Sequence, residues 1–329
     1  MDGGPADTGI RQRSGYGVAL SLEETVAVVV VTYNSEPLLD ELVASLGRGL
    51  SGVRWHLTIA DNASSDGTVS TLRRLAPDAT VVETGRNGGY AAGINAAVAA
   101  SPRPFTAVLV LNPDVRLGPG CVRELLHALR RPGTGIAVPR LADGAGVLIP
   151  SMRREPTIMR TLGDLVLGAN RAGRYRALGE VVTDERCYAS ETLTDWAEGS
   201  TVLISAECWR QCGPWDESFF LYSEETDFAL RARDAGFLTR FYPDAHAVHL
   251  EGGSAHSPRL WALLTLNRVR LYRRRHGLVG ATCFWAVLLL RELSRAVLGR
   301  RTSQLAALAL LSPARLREAP GPHNVGSAA

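Results

Sequence analysis

Val26 to Asn34 reads VAVVVVTYN, an unbroken apolar run that ends in polar residues. Such a run, rich in β-branched side chains, predicts a strand buried on both faces of a parallel sheet. Pro37 then opens PLLDELVASLGRG, a helical pattern that tolerates proline in its first turn. The alternation repeats. VRWHLTIADNASSDGT predicts a second strand and a polar loop, DGTVSTLRRLA a helix, ATVVETG a third strand. GGYAAGINAAVAAS predicts a Gly-rich turn feeding a helix of small residues, FTAVLVLNPDV a fourth strand and PGCVRELLHALRR a fourth helix. Strand–helix alternation with a polar loop after each strand predicts an α/β, doubly wound parallel sheet. Ligands of such sheets bind beyond the carboxyl ends of the strands. Thr32 and Asn34, Asp61 and Asn62, Arg86 to Gly89, and Asn112 and Asp114 all fall there.

The second half is less regular. Residues 139–195 predict one helix and much loop. WAEGSTVLISAECWRQCGPWDESFF predicts a short strand, a helix and a loop. A helix is predicted from about Glu224 to Ala235, ended by Gly236. LTRFYPDAHAVHLEGGS predicts one or two short strands, and from about Pro258 the chain reads as helical and Arg-rich. The division expected is a flexible tail over 1–24, a catalytic domain over 25–256 and a helical region over 257–329.

Composition narrows the class. The 329 residues are 46% hydrophobic and 21% charged, enough to bury a sizeable core. A net charge of +3 gives no general reason to expect nucleic acid. All 36 basic residues are arginine, spread along the chain. The five cysteines form no framework and no paired metal spacing, so free thiols in a reducing compartment are expected. The polar N-terminus lacks a signal-peptide core. No clean run of eighteen apolar residues is present, so no membrane span is expected.

Several short stretches carry candidate chemistry. Asn112-Pro113-Asp114 closes the fourth strand, where a carboxylate can hold a divalent cation that in turn holds phosphates; the same residues make a good type I turn. Asp61 can accept from a base or ribose, or belong to a helix cap that Ser64, Ser65 and Asp66 also suit. GRNGGYAAGIN could turn backbone N–H groups or Arg86 toward a phosphate, or be a tight turn; it fits neither phosphate-loop fingerprint. His249 could complete a metal site with Asp114, or be structural. Glu224, Glu225 and Asp227 suit a helix N-terminus, with Ser223 as cap and an Asp227–Arg231 pair. Beside FFLY, a partly desolvated carboxylate there could also act as a general base.

Taken in order, VVVVTYN, IADNASSDGT, GRNGGYAAGIN, VLNPDV, WAEGSTVLI, GPWDESFFLYSEETDFALRARDAG and HAVHLEGGS resemble family-2 inverting glycosyltransferases, over roughly Val26 to Ser254. They are most similar to bacterial rhamnosyltransferase-like members. The resemblance implies a GT-A fold, a nucleotide-sugar donor and a divalent metal, Mg²⁺ or Mn²⁺. By position, Thr32, Asn34, Asp61, Arg86, Asn87, Gly88, Asn112 and Asp114 would line the donor site, with Asp114 and His249 on the metal. Trp196, Glu198, Gly199, Asp216 and Glu217 would lie toward the acceptor and donor sugar. The family's acidic block aligns with Glu224, Glu225 and Asp227; Glu225 is favoured as base, with Glu224 as the alternative. Two departures stand out: the second acid is Glu rather than Asp, and Asn112 replaces an acid.

The resemblance implies an enzyme that moves a sugar, L-rhamnose from dTDP-rhamnose for preference, onto a polyprenyl-diphosphate-linked or polysaccharide acceptor in cell-wall or surface glycan synthesis. Galactofuranose, N-acetylglucosamine or glucose from a UDP- or GDP-sugar is the alternative. A nucleotidyltransferase is disfavoured by TYNSEP after the first strand and by the absence of lysine; a non-catalytic nucleotide-sugar binder is the other rival. The C-terminal Trp, Leu and Arg clusters suit either a helical pair packed on the catalytic domain or a second subunit, or an interfacial helix on anionic lipid. The expected location is cytoplasmic, with the inner face of the plasma membrane as a candidate contact.

Overall fold

The computed structural model describes residues 24–250 and 257–324. The expected tail up to residue 23 and the 251–254 end of the last motif lie outside the described residues. The first half follows the predicted alternation: β1 (Thr25–Thr32), α1 (Leu39–Gly49), β2 (Arg54–Asp61), α2 (Thr68–Leu75), β3 (Thr80–Glu83), α3 (Tyr90–Ala100) and β4 (Ala107–Leu111). A short β5 (Val115–Leu117) precedes α4 (Cys121–Leu129). Then come β6 (Thr134–Ala142), β7 (Met152–Arg153), α5 (Ile158–Leu167), α6 (Ala169–Ala172), β8 (Thr192–Thr194) and β9 (Trp196–Ala197). The core closes with β10 (Thr201–Ser205), α7 (Ala206–Cys212), α8 (Glu224–Asp234) and β11 (Leu238–His249). The last stretch expected to give one or two short strands is a single strand of 12 residues.

The strands form one nine-stranded sheet ordered β3-β2-β1-β4-β10-β6-β11-β5, with β8 added beside β11. β3, β2, β1 and β4 run parallel. The expectation of a purely parallel sheet needs correcting beyond that point, because β10 is antiparallel to both β4 and β6 and β5 is antiparallel to β11. β10 arrives from the irregular 143–200 excursion rather than from a helical crossover, so nothing requires it to be parallel.

The unbroken apolar character of β1 follows from burial on both faces. Val26, Val28 and Val30 join Leu39, Leu42 and Leu46 of α1 and Leu125 of α4 on one side. Ala27, Val29 and Val31 join Ala91, Ile94 and Ala97 of α3 on the other. α7 and α8 lie on this second face through Cys208, Cys212, Phe228 and Ala229. All five cysteines are free.

A third core is built from α5 and the C-terminal helices: α9 (Pro258–Val297), α10 (Arg301–Leu311) and α11 (Pro313–Arg317). Gly277 breaks α9 into two segments, with φ 69° and ψ −171°. By length and composition alone, α9 holds an 18-residue window of mean hydropathy 1.4, apolar enough to cross a membrane. The apolar run ending at Leu290 continues past Arg291 and Glu292 because that charged pair is turned inward. Arg291 donates to Glu292 at 2.7 Å and to Asp164 of α5 at 3.2 Å, while the Trp261 indole N–H donates to Glu292 at 2.9 Å.

Breaking a buried ion pair by removing one partner leaves the other charge desolvated and unpaired, which costs about 3–5 kcal/mol. Arg291→Ala is therefore expected to lower unfolding free energy by roughly that amount in urea denaturation. A loss below about 1 kcal/mol, the range of exposed pairs, would show the network to be dispensable.

Candidate active site

Two clusters meet beyond the carboxyl ends of the parallel strands. The first is polar and centred on Asp61, the last residue of β2. Asp61 is buried and accepts from the Thr32 hydroxyl at 2.9 Å, the Ser64 N–H at 2.8 Å and the Ser64 hydroxyl at 2.5 Å. Asn34, in a left-handed conformation (φ 50°), accepts from the Ser65 N–H at 2.8 Å. Thr32, Asn34 and Asp61 thus form one connected group. The predicted cap of α2 differs: Gly67 occupies the cap position without a side-chain bond, and Asp66 accepts from the Thr68 N–H at 3.0 Å. Asn87 accepts from the Gly89 N–H at 3.1 Å, and Arg86 is exposed beside Gly88.

The second cluster is acidic. His249, at the end of β11, lies between two carboxylates, with Nδ1 2.8 Å from Glu198 Oε1 and Nε2 3.3 Å from Asp114 Oδ1. Both contacts bring an imidazole nitrogen against a carboxylate oxygen. Burial pulls the imidazole pKa down, but the two carboxylates outweigh it and raise it to about 10. Burial pushes Glu198 up, while His249 and Arg153 bring it net below the usual range. The Asn112 side-chain amide oxygen, Oδ1, is buried here without a hydrogen-bond partner.

Gly199 joins these groups to the helix of interest. A Cβ at Gly199 would lie 3.2 Å from the Glu225 Cβ and 3.8 Å from the Trp215 ring. The Tyr90 hydroxyl donates to the Gly199 carbonyl at 3.1 Å, and Tyr90 feels the charges of Glu224, Asp114, Glu225 and Glu198. Glu225 lines an apolar cleft with Val138, Ala197, Trp215 and Phe228. Glu224 is 1% exposed and Glu225 half-buried. Burial raises both carboxyl pKa values, with Glu225 also pushed up by Glu198; Glu225 reaches about 7, and Glu224, next to the Glu225 charge, goes well above the usual range.

Other predicted residues are held by neighbouring groups. Asp227 pairs with Arg231 at 2.7 Å, as the spacing predicts. Asp216 accepts from the Ser218 N–H at 2.9 Å and pairs with Arg274, while Glu217 accepts from Asn95 at 3.0 Å. The Trp196 indole donates to the Arg154 carbonyl at 3.0 Å. Ser223 is not the side-chain cap that the sequence suggests, because its φ of 78° turns the chain without a side-chain cap bond. Tyr90, Arg153 and Trp215 reach the site without having been singled out by sequence. Only the aromatic and basic residues flanking the recognised stretches hinted at them.

Donors for a divalent cation are sparse. Among the described residues no group of three or more His, Cys, Asp and Glu side chains could hold a metal ion. Asp114 and His249 present two donor atoms close to one point, with the orphaned Asn112 oxygen in the same strand-end turn. That set fits an incomplete site of the kind Mg²⁺ uses, with one or two protein carboxylates and the remainder from phosphates and water.

Comparison with known proteins supplies the context. Residues 27–176 match the model of Glycosyl transferase family 2, and residues 107–314 match Glycosyl transferase family group 2. An N-acetylglucosaminyl-diphospho-decaprenol L-rhamnosyltransferase of Mycobacterium tuberculosis is 32% identical over 242 residues, covering 69% of this chain and 76% of the relative. The rhamnosyltransferase WbbL of Escherichia coli is 22% identical, covering 68% and 83%. Among solved structures, a mannosyltransferase of Pyrobaculum calidifontis in complex with GDP-Man and Mn²⁺ aligns with TM-score 0.53 at 18% identity, over 90% of this chain and 76% of that one, and shows the same GT-A fold.

The GRNGG glycines are more than a loose turn. Gly89 has φ 90° and ψ 178°, and a Cβ there would sit 2.1 Å from the Phe220 carbonyl oxygen. Gly89→Ala combines a disfavoured conformation, worth about 1–3 kcal/mol, with a backbone clash. It is expected to lower stability by at least that amount in urea denaturation and to displace the 219–223 loop. Unchanged stability would mean that the contact is not made.

Proposed function

The chain belongs to the family-2 glycosyltransferases, and we propose that within this family it transfers L-rhamnose from dTDP-rhamnose to a hydroxyl of a polyprenyl-diphosphate-linked N-acetylglucosamine, with inversion. The enzyme class rests on the family; the sugar and acceptor rest on the mycobacterial relative, whose name specifies both a rhamnosyl transfer and a lipid diphosphate. The observation that carries the chemistry is the half-buried Glu225 in its apolar cleft, joined through Gly199 to the Asp114–His249–Glu198 group.

In the proposed reaction, the Glu225 carboxylate takes the proton of the acceptor hydroxyl. The acceptor oxygen bonds to the anomeric carbon as the bond from that carbon to the donor phosphate breaks, its electron pair leaving with the nucleoside diphosphate. One displacement inverts the centre, through a transition state of oxocarbenium character. A base works best with a pKa near the operating pH, which favours Glu225 over Glu224, whose deeper burial keeps a proton on it. Thr32, Asn34 and Asp61 line the nucleotide pocket in this reading. Asp114 and His249 would hold a divalent cation, which when bound would offset charge on the diphosphate.

The proposal extends to a membrane. The outer face of the second α9 segment carries Val279, Cys283, Leu290, Leu293 and Val297, spaced as one helical stripe, with Val279 81% and Val297 87% exposed. Arg268, Arg274, Arg275 and Arg291 pair with carboxylates of the protein, while Arg273, Arg300, Arg301, Arg315 and Arg317 are exposed. An apolar stripe with a cationic surround fits the surface of an anionic bilayer, and a lipid-linked acceptor would be met there. The break at Gly277 and the inward Arg291–Glu292 pair favour a helix lying on the surface over one crossing it.

Two measurements test these statements. In a panel of dTDP-rhamnose, UDP- and GDP-sugars with Mg²⁺ or Mn²⁺ and a lipid-diphosphate N-acetylglucosamine acceptor, transfer is expected from dTDP-rhamnose. Its kcat/KM should rise about tenfold per pH unit below about 7 and level above it, since the base is active only when deprotonated. Glu225→Gln should reduce kcat by roughly 10²-fold or more with donor binding retained. Full activity in that variant moves the base to Glu224, and full activity in both single variants sinks the proposal. Separately, the protein should sediment with phosphatidylglycerol vesicles and not with phosphatidylcholine ones. Leu290→Glu with Val297→Glu should abolish that binding; wild-type binding unaffected by lipid charge or by the double variant would count against the surface.

A further inference from the structure

The loop that precedes α8 is strained. Phe220, Tyr222 and Ser223 have φ of 63°, 69° and 78°, and none is glycine. Phe220 (ψ −58°) sits at the centre of a γ-turn of the uncommon positive-φ hand, closed by the Leu221 N–H donating to the Phe219 carbonyl at 2.7 Å. Each such residue is strained and persists only where its surroundings over-determine it. The reversal delivers the chain directly into Glu224 and Glu225.

The surroundings come from α9. Asn267 is fully buried, and its amide nitrogen donates to the carbonyls of Phe219 at 2.8 Å, Leu221 at 2.9 Å and Tyr222 at 3.1 Å. Its own oxygen accepts from the Arg270 guanidinium at 2.7 Å, which fixes which end of the amide faces the loop. Two turns further along the helix, Arg274 bonds Asp216 and the Ser218 hydroxyl, and lies 4.5 Å over the Phe219 ring. Of the three carbonyls, that of Phe219 also accepts from the Leu221 N–H of the γ-turn. With two N–H hydrogens, a primary amide aimed among them reaches all three by sharing one hydrogen, which no apolar or acidic side chain of that size can do.

We infer that Asn267 is a positioning residue for the transfer reaction: by binding the three carbonyls it holds the strained reversal, and with it the first turn of α8, in the geometry the base requires. This rests on the reading of α8 as the carrier of the base. The helix following the sheet domain is thereby part of the active site's construction.

The test uses the full-length protein. Asn267→Asp keeps the shape but replaces the donor with an acceptor facing three carbonyls. Its kcat is expected to fall by roughly 10²-fold, as misplacement of a reacting group by about 1 Å does, with donor KM changed less than about threefold. A loss of folded protein alone would scale kcat and leave its pH dependence in place. Release of the loop instead opens the first turn of α8 to water. The acid limb of the pH profile should then move below its wild-type position. The charged and titratable groups facing Glu225 there are Glu224 on α8, Glu198 before β10, Arg153 on β7 and Tyr90 on α3. Hydrogen exchange of the amides of residues 219–223, measured without substrate, should quicken. If Asn267→Asp does not fold, Arg270→Gln, which frees the amide to rotate, decides by the same readouts with an expected loss of about tenfold. Wild-type kcat with an unmoved pH limb in the variant overturns the inference. Absent transfer by the wild-type protein would instead remove the functional reading, and unquickened exchange in the variant would then remove the clamp as well.

Discussion

The active site depends on a backbone reversal that the local sequence disfavours. Between Phe219 and Glu224 three non-glycine residues take positive φ. The reversal is what sets two adjacent glutamates at the head of a buried helix instead of on an exposed one. It is secured from two sides. The Tyr90 N–H donates to the Phe220 carbonyl at 2.7 Å from α3, next to a Gly89 that leaves no room for a side chain. Asn267 binds the neighbouring carbonyls from α9. Upstream, Asn95 takes the same part for Trp215, donating to its carbonyl and accepting from its N–H, both at 2.9 Å. Asparagine suits these posts because one side chain both donates and accepts while remaining uncharged in a buried place.

Once the reversal is made, electrostatics separates the two glutamates. Both sit where water is scarce, and like charges side by side resist simultaneous ionisation. Glu224 is the more deeply enclosed, with one carboxylate oxygen buried and unpartnered, which suits a protonated group. Glu225 opens on the cleft and feels Arg153, which favours its charged form. The pair therefore titrates unequally, and the difference comes from a single residue's rotation around the helix start.

How much of this was legible depends on the range of the interactions. The first four strands and their helices could be read because β1 and β4 are buried on both faces, and two-faced burial leaves a direct trace in the residue types. The i,i+4 pair of Asp227 and Arg231 is likewise local. The strand-end residues Thr32, Asn34 and Asp61 gathered as the sheet rule requires. The reversed direction of β10 left no such trace, since direction depends on how an irregular excursion of some sixty residues returns. Ser223 read as a cap by type, yet its conformation is set by neighbouring carbonyls bound to Asn267, far along the chain. A contact of that kind exists only in the folded chain. Asn267 looked like one polar residue in an apolar, Arg-rich helix, and its role was invisible until the loop it binds was seen.

The C-terminal helices are tied to the site by contacts of the same long range. Composition changes near residue 257, but the interactions do not stop there. Arg268 pairs with Glu180, Arg274 with Asp216, and Arg275 with Asp234 at 2.8 Å, each joining α9 to the sheet-bearing part. These contacts use the first segment of α9, and the exposed apolar stripe occupies the second, beyond Gly277. The helix thus divides its tasks at the break: one segment is committed to the protein and holds the loop before α8, the other turns apolar side chains outward. The lipid-linked acceptor proposed above would fit such a division, because its sugar would have to reach a desolvated carboxylate while its tail stays in a bilayer. On the proposed reading, the two segments of α9, joined at Gly277, would serve these two environments in turn.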